Sequence, residues 1–269
     1  RRLVLPAANA TEAAVATGVD VYGVRNLLEA VETLNGGGPP PTRFALTEEI
    51  ARPRYEVDFA DVKGQRHAVR ALEVSAAGAH NLLMTGPPGS GKTMLARRLP
   101  TILPPLSLPE AVEVTRIHSS AGTKGSTGLV WERPFRSPHH SASYAAVVGG
   151  GKNPKPGEVS LGHHGVLFMD EMPEFDRSVL EALRQPLEDG VVTVARVANT
   201  LTFPAGCILI GAMNPCPCGY LGHPSRACRC SRQQVARYRG RLSGPLLDRI
   251  DLRVELGAPR LDELLTGAD

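Results

Sequence analysis

The sequence predicts an α/β fold in which a parallel sheet is flanked by helices. Three observations carry this. From Tyr55 onward, helical patterns alternate with short apolar strand patterns. Gly86-Pro-Pro-Gly-Ser-Gly-Lys92-Thr93 sits directly after a strand pattern and before a helical one, the setting a phosphate-binding loop requires. A further apolar run, Val166 to Met169, ends in two adjacent carboxylates, Asp170 and Glu171.

Taken in order, residues 1 to about 35 contain one amphipathic stretch, Val24 to Leu34, with Leu27, Leu28, Val31 and Leu34 at helical spacing. Such a helix needs a partner surface. Asn35-Gly-Gly-Gly-Pro-Pro-Pro41 suits neither a helix nor a central strand, so a linker is expected over residues 36–54, with the main domain running from 55 to 258. In that domain His67 to Ala77 reads as a helix, Asn81 to Thr85 as a strand, Lys92 to Leu99 as a helix and Gly165 to Met169 as a second buried strand. Asp176 is placed to cap a helix that runs to about Glu188. Val191 to Val197 and Thr200 to Phe203 read as a β-hairpin around Ala198-Asn199, and Cys207 to Met213 as a third buried strand. Ser231-Arg-Gln-Gln234 has capping-box spacing and opens a basic helix with Arg232, Arg237, Arg239 and Arg241.

With 269 residues and 42% hydrophobic composition, the chain can bury one full core and leave room for a small appendage. Thirty Lys and Arg against 27 Asp and Glu give a net charge of +3, which neither demands nor excludes a nucleic-acid partner. No apolar run approaches the roughly 18 residues a membrane-spanning helix needs, so no membrane partner is expected. The chain opens Arg1-Arg2-Leu3 without a leader pattern and reads as a piece of a longer soluble protein. Its five cysteines are an odd count, which favours a reducing cytoplasm over a disulfide framework.

The chemistry is concentrated at strand ends. In the loop Gly86, Pro87, Pro88, Gly89, Ser90, Gly91, the glycines let backbone N–H groups turn toward phosphates, Lys92 reaches the β- and γ-phosphates of ATP, and the Thr93 hydroxyl ligates Mg²⁺. A second piece is expected on a neighbouring strand: Asp170 to hold the Mg²⁺ through water, and Glu171 to polarise the attacking water. Asn214, closing the third buried strand, can orient that water and the γ-phosphate without adding charge. Arg249, after a short helix pattern, can serve a neighbouring subunit as an arginine finger, with Arg241 as its rival. His139 and His140 lack the spacing of metal ligands and are expected in a structural or substrate-facing role.

Cys216-Pro-Cys218 and Cys228-Arg-Cys230 form two C-x-C pairs separated by nine residues. Four thiolates so placed can surround one structural Zn²⁺, although the usual spacing within a pair is C-x₂-C; four reduced thiols or one incidental disulfide is the alternative. A knuckle here would present the basic stretch Arg226 to Arg241 as a DNA surface.

These stations in this order, preceded by Asp61-Val-Lys-Gly-Gln65, resemble the AAA+ ATPases. More closely, Phe135-Arg-Ser-Pro-His-His140, Gly165 to Glu171, Gly211-Ala-Met-Asn-Pro-Cys-Pro-Cys-Gly219 and Ser243 to Leu252 resemble the magnesium-chelatase-like ComM/YifB family. The resemblance implies a hexameric ring with ATP sites between subunits and a helicase that drives branch migration of incoming DNA during natural transformation. It implies that residues 1–35 are the remnant of a Lon-protease-like domain, and that residues 259–269 begin a helical lid that is otherwise absent. It implies that about 115–162 is an insert carried by the second helix of the core, and that Arg196, near the hairpin tip, can contact a DNA phosphate. The alternatives are the ATPase subunit of a metal-inserting chelatase and an ATP-gated assembly switch that turns over negligibly.

Overall fold

The computed structural model describes residues 1–16, 18–43, 53, 55–123, 128–151, 154–195 and 200–258. The chain forms two compact units, one of residues 1–53 with 106–131 and the other of residues 54–105 with 132–269.

In the first unit, β1 (Arg2–Pro6) pairs in parallel with β2 (Asp20–Val24), joined by the helix Ala7–Ala13. Ala10 and Val21 are buried between them. The amphipathic stretch forms the helix Leu27–Leu34, capped by the Asn26 side chain accepting from the Glu29 N–H. Its apolar stripe stays open, with Leu27 81% and Leu28 68% exposed, so the expected partner surface is not found among the described residues. Thr42, in the expected linker, pairs with Val21 through an isolated antiparallel bridge. The helix Leu108–Ala121 begins at a Ser107–Glu110 capping box, and its Ala111 and Val114 pack with Leu106, Val130 and Trp131.

The second unit is built on a five-stranded sheet in the order β11-β3-β10-β7-β4, every neighbouring pair parallel. Here β3 is Leu82–Thr85, β4 Phe135–Arg136, β7 Val166–Met169, β10 Ile208–Met213 and β11 Leu252–Glu255. The three central strands read as continuous apolar runs because both faces are covered. Leu82, Met84, Val166, Phe168, Ile208, Ile210 and Ala212 face a core shared with Ala68 and Leu72 of the helix Arg66–Gly78 and Leu95 of the helix Lys92–Arg98. Alternate residues Leu83, Leu167, Met169, Leu209 and Met213 face the other core, with Phe175, Val179, Leu180, Leu183, Tyr238 and Leu246.

Four expectations need correction. The strand Val166–Met169 does not neighbour the phosphate-loop strand, because β10 is hydrogen-bonded to both and separates them. The helix expected from Asp176 to Glu188 is two pieces, Arg177–Ala182 and Arg184–Asp189. Pro186 has no N–H to give to Ala182, which ends the first helical ladder. Asp176 does precede the first piece, and its backbone carbonyl accepts from Val179 and Leu180, but its carboxylate makes no capping bond. Within the stretch expected as an insert, Phe135–Arg136 joins the main sheet as its edge strand, because Gly165 lets the chain at Pro134 lie against it: a Cβ on Gly165 would stand 2.0 Å from the Pro134 carbonyl oxygen.

Two short strands, β5 (Gly149–Gly150) and β6 (Lys155–Pro156), pair antiparallel, and the hairpin forms as β8 (Val191–Ala195) and β9 (Thr200–Pro204), also antiparallel. Its turn, with Arg196, lies outside the described residues, as do residues 44–52 and 54 of the linker and the expected start of the lid, 259–269. No helix among the described residues is long and apolar enough to cross a membrane.

Candidate active site

All five strands point the same way, so the loops after β3, β10, β7 and β4 leave one edge of the sheet together. The loop after β3 turns through Gly89 (φ 78°) and Gly91 (φ 89°) before the helix Lys92–Arg98 starts. A Cβ at Gly89 would meet nothing within 4 Å, so the loop borders open space of the kind a phosphate fills. Gly86 is needed for the opposite reason: a Cβ there would lie 2.8 Å from the Ser90 hydroxyl and 2.9 Å from the Leu256 carbonyl.

Lys92 is only 8% exposed, and its Nζ donates to the carbonyls of Gly86 (2.7 Å) and Pro87 (2.9 Å). Burial pushes its pKa down, while Asp170 and Glu171 oppose that shift. The Thr93 hydroxyl donates to the Asp170 carboxylate at 2.7 Å, so the two hard oxygens expected to hold Mg²⁺ are already adjacent. Asp170 in turn accepts the Glu171 N–H at 2.9 Å. Glu171 itself adopts a left-handed backbone (φ 48°), a conformation that costs on the order of 1 kcal/mol in a non-glycine residue and recurs at functional sites. Its carboxylate stands half exposed.

Because β10 lies between β3 and β7, Asn214 emerges between the phosphate loop and the two carboxylates, its Oδ1 3.4 Å from Lys92 Nζ. Pro88 to Met94, Asp170, Glu171, Met213 and Asn214 line a single open cleft of ≈ 410 Å³. The lysine, threonine, carboxylates and asparagine read from the sequence therefore converge on one place. The chemistry of this donor set fits ATP with Mg²⁺: backbone N–H groups and a buried ammonium for phosphate, a hydroxyl and a carboxylate for the cation.

Arg249 and Arg241 are not in that lining. Arg249 pairs with Glu188 and donates to the Pro245 carbonyl at 2.8 Å, while Arg241 pairs with Glu174 at 3.0 Å.

Two residues near the cleft were not assigned to it from the sequence. His140 Nδ1 lies 3.5 Å from Glu171 Oε2, brought there because β4 adjoins β7. The buried Tyr238 hydroxyl meets the Asn214 backbone; burial pushes its pKa up to about 12, an effect the Asn214 backbone hydrogen bond opposes. Only strand adjacency and the return of the helix Arg232–Arg239 could have revealed them.

The four cysteines that follow Asn214 cluster, each sulfur within 4.8 Å of the others. Cys216, Cys218 and Cys228 are separated by 3.4, 3.6 and 3.6 Å, near the sulfur–sulfur edge of about 3.8 Å that a tetrahedron with Zn–S bonds of ~2.3 Å requires. Cys218 is pushed down to about 6, chiefly by backbone hydrogen bonds at Tyr220 and Arg229, while Cys230, against a backbone hydrogen bond at Cys218, is pushed up to about 12 by burial and the neighbouring sulfurs. The Cys230 N–H likewise points to Cys228 Sγ at 3.4 Å, the orienting donors a thiolate cluster uses. From Pro215 to Leu247 the chain carries six arginines and no acidic residue. Arg226, Arg229, Arg232 and Arg237 are exposed, and Arg226 lies over the Tyr220 ring.

This sheet, with a phosphate loop after one strand, Asp-Glu after another and an asparagine between them, defines a P-loop fold of the AAA+ kind. The chain belongs to the family described as magnesium chelatase, subunit ChlI, whose match spans residues 58–264. It is 47% identical over 260 residues to the competence protein ComM of Haemophilus influenzae, covering 95% of this chain and 50% of that protein. It is 48% identical over 233 residues to YifB of Escherichia coli, covering 86% of this chain and 45% of that one. These likenesses put it on the ComM/YifB branch of the family, and the chain spans about half the length of the curated relatives it matches. A structure of the magnesium chelatase BchI–BchD complex shares the fold, with a TM-score of 0.54 and 24% identity over 78% of this chain and 63% of that one.

Proposed function

We propose that this chain is the nucleotide-hydrolysing core of an AAA+ motor that acts on DNA. The convergence of Lys92, Thr93, Asp170, Glu171 and Asn214 on one cleft carries the ATPase reading. Lys92 holds the β- and γ-phosphates, while Thr93 and Asp170 hold a Mg²⁺ that offsets phosphate charge. Glu171 accepts the proton of the attacking water, and Asn214 fixes the direction of attack. Arg249 completes a neighbouring site in a homo-hexamer of the full-length protein, which we place in the cytoplasm.

The DNA reading draws on the likeness to a protein named for competence and on the acid-free arginine stretch around the cysteines. We further read the cysteine cluster as holding one structural Zn²⁺, with Arg196 as an additional DNA contact. Together these make the motor a DNA helicase of branch migration in natural transformation. The deciding measurement is ATP hydrolysis by the full-length protein with and without single-stranded or forked DNA at fixed salt. Several-fold stimulation is expected, and its absence with basal turnover intact would remove DNA as the substrate.

The second reading is the ATPase subunit of a metal-inserting complex, favoured by the family match and the shared fold. Turnover that ignores DNA and responds to a partner protein would support it.

A further inference from the structure

The cysteine cluster touches the nucleotide site through one residue. Gly219, the residue after the first C-x-C pair, donates its N–H to the Cys216 carbonyl at 2.9 Å and has φ +84°. It is buried, and a Cβ on it would stand 2.7 Å from Cδ of Pro88, the third residue of the phosphate loop, and 3.9 Å from Cγ of Asn214. The bare Gly219 backbone is thus the surface against which the phosphate loop rests.

The far side of the same segment is held by the other cysteine pair. Cys228 and Cys230 lead into the helix Arg232–Arg239, whose Arg239 Nε donates to the Pro215 carbonyl at 3.2 Å and whose Tyr238 meets the Asn214 backbone. Joining the pairs through one tetrahedral ion closes a ring: Asn214, the first cysteine pair, the metal, the second pair, the helix, and back to Asn214. Without the cross-link, the ordering of the loop between the pairs is opposed by chain entropy that the metal would otherwise suppress.

We infer that Zn²⁺ bound by Cys216, Cys218, Cys228 and Cys230 braces the phosphate loop and Asn214, so that ATP affinity depends on the zinc. This rests on the structural-zinc reading above and adds a coupling between two sites that share no ligand. The coupling is mechanical. It runs from the cluster through Gly219 to Pro88 and through Asn214 to Lys92.

The experiment uses the full-length protein. Zinc is measured by elemental analysis, removed with a chelator that is then dialysed away, and restored alone; a fluorescent ATP analogue is titrated with Mg²⁺ at each stage. The zinc-stripped protein is expected to bind the analogue at least tenfold more weakly, with recovery on adding Zn²⁺. Gly219→Ala, which keeps all four thiols but presses on Pro88, is expected to retain full zinc and lose affinity similarly.

Protein prepared without chelator that contains no zinc would defeat the metal site itself. Stoichiometric zinc whose removal leaves a folded protein with unchanged affinity would defeat the coupling alone. Should the stripped protein unfold, Gly219→Ala decides: full zinc with unchanged ATP affinity overturns the brace.

Discussion

At the scale of single residues, the cleft separates binding from chemistry. Lys92 is held by the Gly86 and Pro87 carbonyls and Thr93 by Asp170, whereas the Glu171 carboxylate stands half exposed beside His140. Glu171→Gln keeps the shape and removes the base, so ATP affinity should stay within about twofold while turnover falls at least about a hundredfold in a phosphate-release assay. Unchanged hydrolysis would take Glu171 out of that role. Lys92 gives a prediction on pH. Its pKa in the free protein lies below the ordinary 10.5, and bound phosphates favour the charged form, so binding takes up a proton once pH exceeds the depressed value. ATP affinity should therefore fall as pH rises through that value, checked by calorimetric titration at two alkaline pH values. Lys92, Thr93, Asp170 and Asn214 were legible in the sequence because each abuts a strand pattern that fixes where its side chain emerges. His140 and Tyr238 were not legible, since each reaches the cleft only through neighbours far along the chain.

At the scale of elements, the strands buried on both faces declared themselves as unbroken apolar runs. The edges did not. Phe135–Arg136 is only two residues long, and Leu252–Glu255 alternates apolar with charged residues, so it offers no unbroken apolar run. Sequence adjacency also gave no hint that β10 would insert between β3 and β7, and that insertion is what brings Asn214 to Lys92 in the cleft. The Pro134–Gly165 approach is the local condition for the edge strand, because Val166 N–H bonds to the Pro134 carbonyl at 2.8 Å. Gly165→Ala should destabilise the fold by about 2 kcal/mol or more, read from chemical denaturation. A stability equal to the parent's would mean that β4 can shift without loss.

At the scale of the whole molecule, the functional reading requires that one chain complete another's site. Arg249 is tethered to Glu188 and Pro245 and lies outside its own cleft lining. In the full-length protein, Arg249→Ala should leave ATP binding intact and cut turnover by about a thousandfold or more, measured at saturating ATP. Parent-level turnover would point to Arg241, or to an ATPase that works as isolated subunits. DNA stimulation, if it comes from the arginine stretch, should weaken steeply with salt because phosphate contacts release counterions.

The uniform direction of the five strands has a consequence for how this unit tolerates change. Gly165, entering the sheet against the Pro134 carbonyl, answers to folding, while the residues leaving it at Gly86, Asp170 and Asn214 line or border the cleft. A library randomised at Gly165 and its β4 neighbours should sort by survival to heat, its survivors hydrolysing ATP at the parental rate. One randomised at the leaving edge should yield many well-folded proteins and few active ones. The two kinds of selection meet at one place on the entering rim, where Asn81 holds the Arg249 carbonyl and a change for stability also moves the arginine.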